Sequence, residues 1–142
     1  MERKAQAQWN GGLKDGNGTV KLGSGAYEGR YSFTSRFESG TGTNPEELIG
    51  AAHAGCFSMA LAAALERAGH TATKVATTAT VHLTKGDAGF SITGIDLVTR
   101  GVVPGLSAAE FQKFADDAKS GCIVSRALSA VPMTLDARLE SA

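Results

Sequence analysis

Two thiols, Cys56 and Cys122, are the strongest candidate nucleophiles in the chain. Only the thiolate is the nucleophile, and a free thiol has a pKa of about 8.5, so a reactive cysteine needs a positive neighbour or a helix start. Cys122 follows Gly121 at the start of a short helical stretch, which favours its ionisation. Cys56 lies mid-helix, flanked by His53, Gly55 and Ser58, where the helix dipole offers little. Arg36, at the end of a strand just ahead of that helix, is the candidate cation for it. Glu46 or Glu47 could hold the guanidinium with a bidentate pair. Simpler uses exist for each residue: small buried thiols, a solvated arginine and a capping glutamate. The small residues around Cys56 either clear space beside the sulfur or allow close helix packing.

A metal centre is an alternative. His53 and Cys56 stand at i and i+3 on one helical face, with Cys122 and His82 as further ligands, and catalytic zinc needs three protein ligands with an open position. The cysteines are not spaced Cys-x-x-Cys, and no Gly-x-Ser-x-Gly elbow supports a serine hydrolase.

The elements that must position these residues are legible in turn chemistry and periodicity. Strands are expected over 5–9, 19–22 and 30–37, separated by Gly- and Asn-rich turns. A helix begins at Pro45, with Thr43 or Asn44 as cap and Glu46 and Glu47 in the first turn, and ends near Ala68 before Gly69. Between Leu48 and Leu65 it has no polar face, which predicts burial on all sides. His53, the acidic flank and the absence of a basic flank speak against a membrane span. Strands are also expected over 73–84 and 90–103, joined by a turn at 85–89. Ser107 and Glu110 form a capping box for an amphipathic helix, a short helix comes next over 122–130, and a last strand alternates from Pro132. The order predicts an α+β fold, with antiparallel sheets packed around a long buried central helix.

Composition narrows the function. The chain has 142 residues, 42% hydrophobic and 20% charged, which suits one globular domain spanning 1–142. Fourteen basic residues balance 14 acidic ones, so no basic excess points to nucleic acid, and no basic amphipathic stretch points to a membrane surface. Two cysteines without an apolar leader predict a reducing, cytoplasmic setting, where such a pair does redox or metal chemistry.

The run Gly42-Thr43-Asn44-Pro45-Glu46-Glu47-Leu48-Ile49-Gly50-Ala51-Ala52-His53-Ala54-Gly55-Cys56-Phe57-Ser58-Met59-Ala60-Leu61 closely resembles the osmotically inducible protein C family. So do Thr34-Ser35-Arg36-Phe37-Glu38, Val103-Pro104-Gly105 and the segment from Ala118 through Cys122 to Ser125. With the related organic hydroperoxide resistance proteins, that family comprises bacterial thiol peroxidases. Arg36 and His53 favour the osmotically inducible branch. The resemblance implies that Cys56 is the peroxidatic cysteine and Cys122 the resolving one. It implies that Arg36 activates the thiolate and that Glu46 orients Arg36. Ile123 departs from the pattern, because the family often has proline there.

The activity implied by the resemblance is that of a peroxidase of organic hydroperoxides, acting more weakly on hydrogen peroxide, in oxidative and osmotic stress defence. Its two-cysteine cycle needs no cofactor and is reset by an external dithiol, such as that of a lipoyl protein. An apolar rim of Phe33, Phe37, Phe57, Met59 and Leu61 is expected to favour an alkyl tail. An intertwined homodimer is expected too. Glu46 and Cys56 stand ten positions apart on one helix, roughly 15 Å, so an arginine held by Glu46 would reach the Cys56 of an antiparallel partner helix. The rival readings are a non-enzymatic dimeric ligand-binding stress protein and a zinc hydrolase using His53, Cys56 and Cys122.

Overall fold

Tight turns and alternating strands organise the first part of the molecule. The computed structural model describes residues 1–141, and the chain divides into two units, Met1–Leu48 and the residues from Ile49 onward. In the first unit β1 (Ala5–Asn10), β2 (Asn17–Leu22) and β3 (Glu28–Tyr31) form an antiparallel sheet in that order. The rings of Trp9 and Tyr31 meet across it at 5.2 Å.

The strand expected over 30–37 stops at Tyr31, and Phe33–Phe37 is a short helix, α1. Ser32 is the reason. Its side chain accepts from the Ser35 backbone N–H at 3.1 Å, and the Ser35 hydroxyl accepts from the Ser32 backbone N–H at 2.8 Å. This reciprocal cap outweighs the β propensity of the aromatic residues. Arg36 therefore stands on a helix rather than at a strand end.

The long helix α2 (Pro45–Arg67) starts in the first unit and runs into the second. Asn44 is its cap, accepting from the Glu47 backbone N–H at 2.8 Å. At the other end Gly69 takes a φ of +87°, while His70 N–H bonds Leu65 C=O and Gly69 N–H bonds Glu66 C=O, each at 2.9 Å. This is a Schellman stop, and glycine suits its left-handed position.

In the second unit β4 (Lys74–Gly86) and β5 (Gly89–Val102) pair antiparallel. After β5 come α3 (Ala108–Gly121), α4 (Ile123–Ala127) and β6 (Met133–Leu139). Against the expectation of wholly antiparallel sheets, β6 lies parallel to β5, from Ile95↔Met133 to Gly101↔Leu139. A parallel pair needs a crossover of a dozen or more residues, and α3 with α4 supplies it.

Phe57, Leu61 and Leu65 of α2, Ile95 and Leu97 of β5, and Phe111, Ala115 and Ala118 of α3 make the core. Gly50 lets α2 approach the sheet, since a Cβ there would stand 3.2 Å from the Ala79 carbonyl oxygen. Below it the Ser58 hydroxyl donates to Thr77 at 2.8 Å, and Thr77 shares a hydrogen bond with Thr99 at 3.0 Å. The helix is not covered on every side within one chain. Gly50, His53, Phe57, Leu61 and Leu65 are buried, but Ala51, Ala52, Gly55 and Met59 are exposed, Met59 at 76%. The absence of a polar face thus marks a surface that a single chain leaves open. By length and composition α2 is also apolar enough to cross a membrane, but its Phe57, Leu61 and Leu65 side chains form the protein core.

Candidate functional site

The residues singled out for chemistry meet in two pairs, one in each unit. Within the first, Arg36 and Glu46 form a bidentate ion pair: Nε donates to Oε2 at 3.2 Å and Nη2 to Oε1 at 2.7 Å. Local chain geometry sets this up. Ser35 Oγ donates to the Thr43 carbonyl at 2.8 Å and Asn44 Nδ2 donates to the Ser35 carbonyl at 3.1 Å, fastening α1 to the start of α2. The two adjacent glutamates divide their work. Glu47 takes the capping role through its backbone N–H and accepts from the Thr43 hydroxyl at 2.7 Å. Glu46, only 7% exposed, is left to hold the guanidinium. The Arg36 side chain keeps 38% of its surface open and lies 5.1 Å from the Phe37 ring centre.

Within the second unit Cys56 and Cys122 face each other, their sulfurs sharing a hydrogen bond of 3.0 Å across 66 residues of sequence. Cys56 comes from the middle of α2. Cys122 joins α3 to α4, its backbone N–H bonded to the Ala118 carbonyl at 2.8 Å and its sulfur accepting from the Ser125 N–H at 3.4 Å. Both cysteines are reduced.

Their acidities diverge. Burial pushes the Cys56 thiol up and its bond to Cys122 adds to this, while the Val124 and Ile123 N–H groups pull the other way without prevailing. Burial also pushes Cys122 up, but there hydrogen bonds from Cys56 and from Ser125 outweigh it and bring the thiol below its ordinary range. Two sulfurs this close cannot both carry a full charge, so the pair holds one proton between them more readily than none. The expectation that the start of the short helix favours ionisation at Cys122 agrees with this direction. The Ile123 amide is available to Cys56 only because residue 123 is not proline.

Access favours the other sulfur. Cys122 is 1% exposed, whereas Cys56 is half-buried. Both line a groove of about 670 Å³ whose walls are Met59, Ala60, Ala63 and Ala64, with Arg67 and Asp117 also on its lining. Of the apolar rim expected from sequence, Met59 lines this groove. Phe57 and Leu61 are fully buried in the core, and Phe33 and Phe37 line a separate pocket with Trp9 and Tyr31 in the first unit.

His53 does not join the sulfurs as a metal ligand. It is fully buried, and its Nε2 hydrogen-bonds Ser125 Oγ at 2.7 Å. His82 pairs instead with Asp96 at 2.6 Å. Among the described residues no three His, Cys, Asp or Glu side chains are grouped to hold a metal ion. Ser125 is the residue that sequence reasoning passed over. Its position three after Cys122 mirrors that of His53 three before Cys56.

Comparison with known proteins matches the profile described as OsmC-like protein over residues 38–136. The chain is 51% identical over 142 residues to a protein of Escherichia coli (strain K12) named peroxiredoxin OsmC, covering 99% of each. Among solved structures it resembles an organic hydroperoxide resistance protein from Elizabethkingia anophelis, with TM-score 0.76, 24% identity and 99% of each chain covered. It also resembles an OsmC-like protein from Mycoplasma pneumoniae, with TM-score 0.77 and 17% identity, covering 98% of this chain and 97% of that one. These two structures share its fold.

Proposed function

Because the chain belongs to the OsmC-like protein family, we propose that it is a thiol-dependent peroxidase that reduces organic hydroperoxides to alcohols through Cys56 and Cys122. The observation that carries this is the 3.0 Å approach of two reduced cysteines beside an apolar groove. A peroxidase-type oxidoreductase uses a hydroperoxide and a reductant, and the full-length likeness to a peroxiredoxin supports both.

In this reading the Cys56 thiolate attacks the outer oxygen of the O–O bond, since Cys56 is the more accessible sulfur. The alkoxide leaves and takes a proton, giving the alcohol and a Cys56 sulfenic acid. Cys122 then attacks the Cys56 sulfur: the S–S bond forms, the S–O bond breaks and hydroxide leaves as water. An external dithiol, such as that of a lipoyl protein, restores both thiols by exchange. Raised acidity at Cys56 calls for a cation beside the sulfur. Arg36, braced by Glu46, fills that role and stabilises the leaving alkoxide. The alanine- and methionine-lined groove takes an alkyl tail, worth about 0.8 kcal/mol per buried CH₂, which favours organic hydroperoxides over hydrogen peroxide.

The reading further takes residues 1–142 as one functional domain, working in the cytoplasm in oxidative and osmotic stress defence. It takes the exposed apolar face of α2 as the seam of a homodimer in which Arg36 and Glu46 of one chain serve the cysteines of the other.

Turnover with a dithiol reductant tests the assignment. Cys56→Ser abolishes reduction of an alkyl hydroperoxide. Cys122→Ser permits one oxidation and leaves a sulfenic acid on Cys56 that dimedone traps. A swap of these two behaviours would reverse the roles, and equal efficiency with hydrogen peroxide and tert-butyl hydroperoxide would remove the role of the groove.

A further inference from the structure

A buried polar pair stands behind the two sulfurs, and the proposed reaction makes no use of it. His53 is fully buried in α2 and Ser125 is 5% exposed in α4. They join through a 2.7 Å hydrogen bond between Nε2 and Oγ across 72 residues of sequence. Nδ1 of His53 is buried with no hydrogen-bond partner among the described residues. Burial lowers the imidazole's pKa, so the ring is neutral and carries one proton. On Nδ1 that proton would be a buried donor without an acceptor. On Nε2 it leaves only a bare acceptor, the less costly orphan, and donates to Ser125 Oγ.

That tautomer fixes the serine. With its oxygen accepting from His53, the Ser125 O–H has to be donated elsewhere. Cys122 is the neighbour already bonded to Ser125, through the 3.4 Å contact of the Ser125 N–H with its sulfur. The Ser125 hydroxyl also acts to lower the pKa of Cys122. We propose that His53 and Ser125 are a positioning pair for the resolving step: the imidazole Nε2–H orients the Ser125 hydroxyl so that its O–H is donated to the sulfur of Cys122. The pair holds Cys122 ready as the thiolate that attacks oxidised Cys56. In that step the Cys122 proton departs before attack, the new S–S bond displaces hydroxide from Cys56, and the proton and hydroxide leave as water. The inference rests on the peroxidase reading for its purpose, but not for its geometry.

The titratable and charged groups around Cys122 are Cys56 and, through Ser125, His53 of α2, with Arg67 of α2 and Asp117 of α3 lining the same groove. Among the described residues, Ser125 alone links the sulfur of Cys122 to His53, so removal of its hydroxyl isolates the pair's effect from the rest.

Two readouts test the pair. The first is the ultraviolet thiolate absorbance of the Cys56→Ser protein, in which Cys122 is the sole thiol. Adding Ser125→Ala moves its titration midpoint about one pH unit to the alkaline side, the tenfold effect of a lost hydrogen bond to a charged group. The second is a single turnover of the otherwise unaltered chain with one equivalent of tert-butyl hydroperoxide. In Ser125→Ala the oxidation of Cys56 is not slowed, while disulfide closure slows about tenfold near neutral pH and recovers at alkaline pH. His53→Gln, which retains an N–H for the serine, follows the wild type in both readouts, and His53→Leu follows Ser125→Ala. An unmoved midpoint in Ser125→Ala, or equal shifts in His53→Gln and His53→Leu, overturns the proposal. Should the wild type leave the hydroperoxide untouched, the peroxidase reading falls, and the titration alone decides the pair. Should His53→Leu fail to fold, Ser125→Ala and His53→Gln decide it.

Discussion

At Cys56 the protein faces opposite demands on one sulfur. The groove makes it the accessible thiol, yet burial and the neighbouring Cys122 push its pKa up. Two kinds of donor work against that rise: in the proposed site the Arg36 guanidinium, and in the observed structure the amides of Val124 and Ile123. Ile123→Pro removes one amide while keeping a residue that suits the first position of α4. Both Ile123→Pro and Arg36→Ala are expected to raise the Cys56 pKa, the arginine variant more, because a full charge outweighs a single dipole. Less thiolate is then present at neutral pH, so iodoacetamide labelling of Cys56 slows and its pH profile moves to the alkaline side. An unchanged profile in Arg36→Ala would remove Arg36 from the mechanism.

At the scale of elements, capping and periodicity carry most of what could be foreseen. Asn44 with Pro45, Gly69, and Ser107 with Glu110 bound their helices as their types imply; the Ser107 backbone N–H donates to the Glu110 carboxylate at 3.0 Å. Alternation places Val75, Thr77, Ala79, Val81 and Leu83 on the more buried face of β4. Where local pattern failed, the deciding partner was either very near or very far. The cap of α1 is a two-serine exchange hidden in an aromatic, strand-like run. The parallel placement of β6 and the His53–Ser125 bond depend on residues tens of positions apart, which periodicity cannot see. Of the candidate site, residue types suggested an Arg36–glutamate pair and the family resemblance suggested Cys56 with Cys122, and both pairs meet, but the choice of Glu46 over Glu47 follows from Thr43 engaging the second glutamate. Gly101 tests how the crossover is seated. The Phe111 ring lies against it where any Cβ would stand. Gly101→Val is expected to overpack this contact and cost about 1–3 kcal/mol, read as a fall in denaturant midpoint without a change in slope.

For the whole molecule, the open face of α2 is the feature that a single chain leaves unexplained. Ala51, Ala52, Gly55 and Met59 present an exposed strip of small residues and one methionine along a helix whose other side is core. A second copy packed there is the proposed occupant, and complementation measures it. Cys56→Ser and Arg36→Ala proteins are each expected to be inactive. Mixed in equal amounts under conditions that exchange subunits, half the dimers become mixed and each has one intact site, so roughly a quarter of the wild-type activity returns. No recovery, with exchange confirmed by native mass spectrometry, would mean that each site is built within one chain.

The closeness of the two sulfurs has a consequence for how the oxidised state is recognised. From 3.0 Å they need to approach by only about 1 Å to reach a disulfide bond length of about 2.05 Å. Such a displacement is within the reach of side-chain adjustment, and the capped ends of α2 and α3 need not open. Oxidation can then leave the outer contour almost unaltered and broadcast no shape change to a distant surface. In the proposed cycle, whatever resets the enzyme then reads the bond itself: it brings a slender dithiol into the groove beside Met59 and tests chemically, by exchange, whether there is anything to reduce.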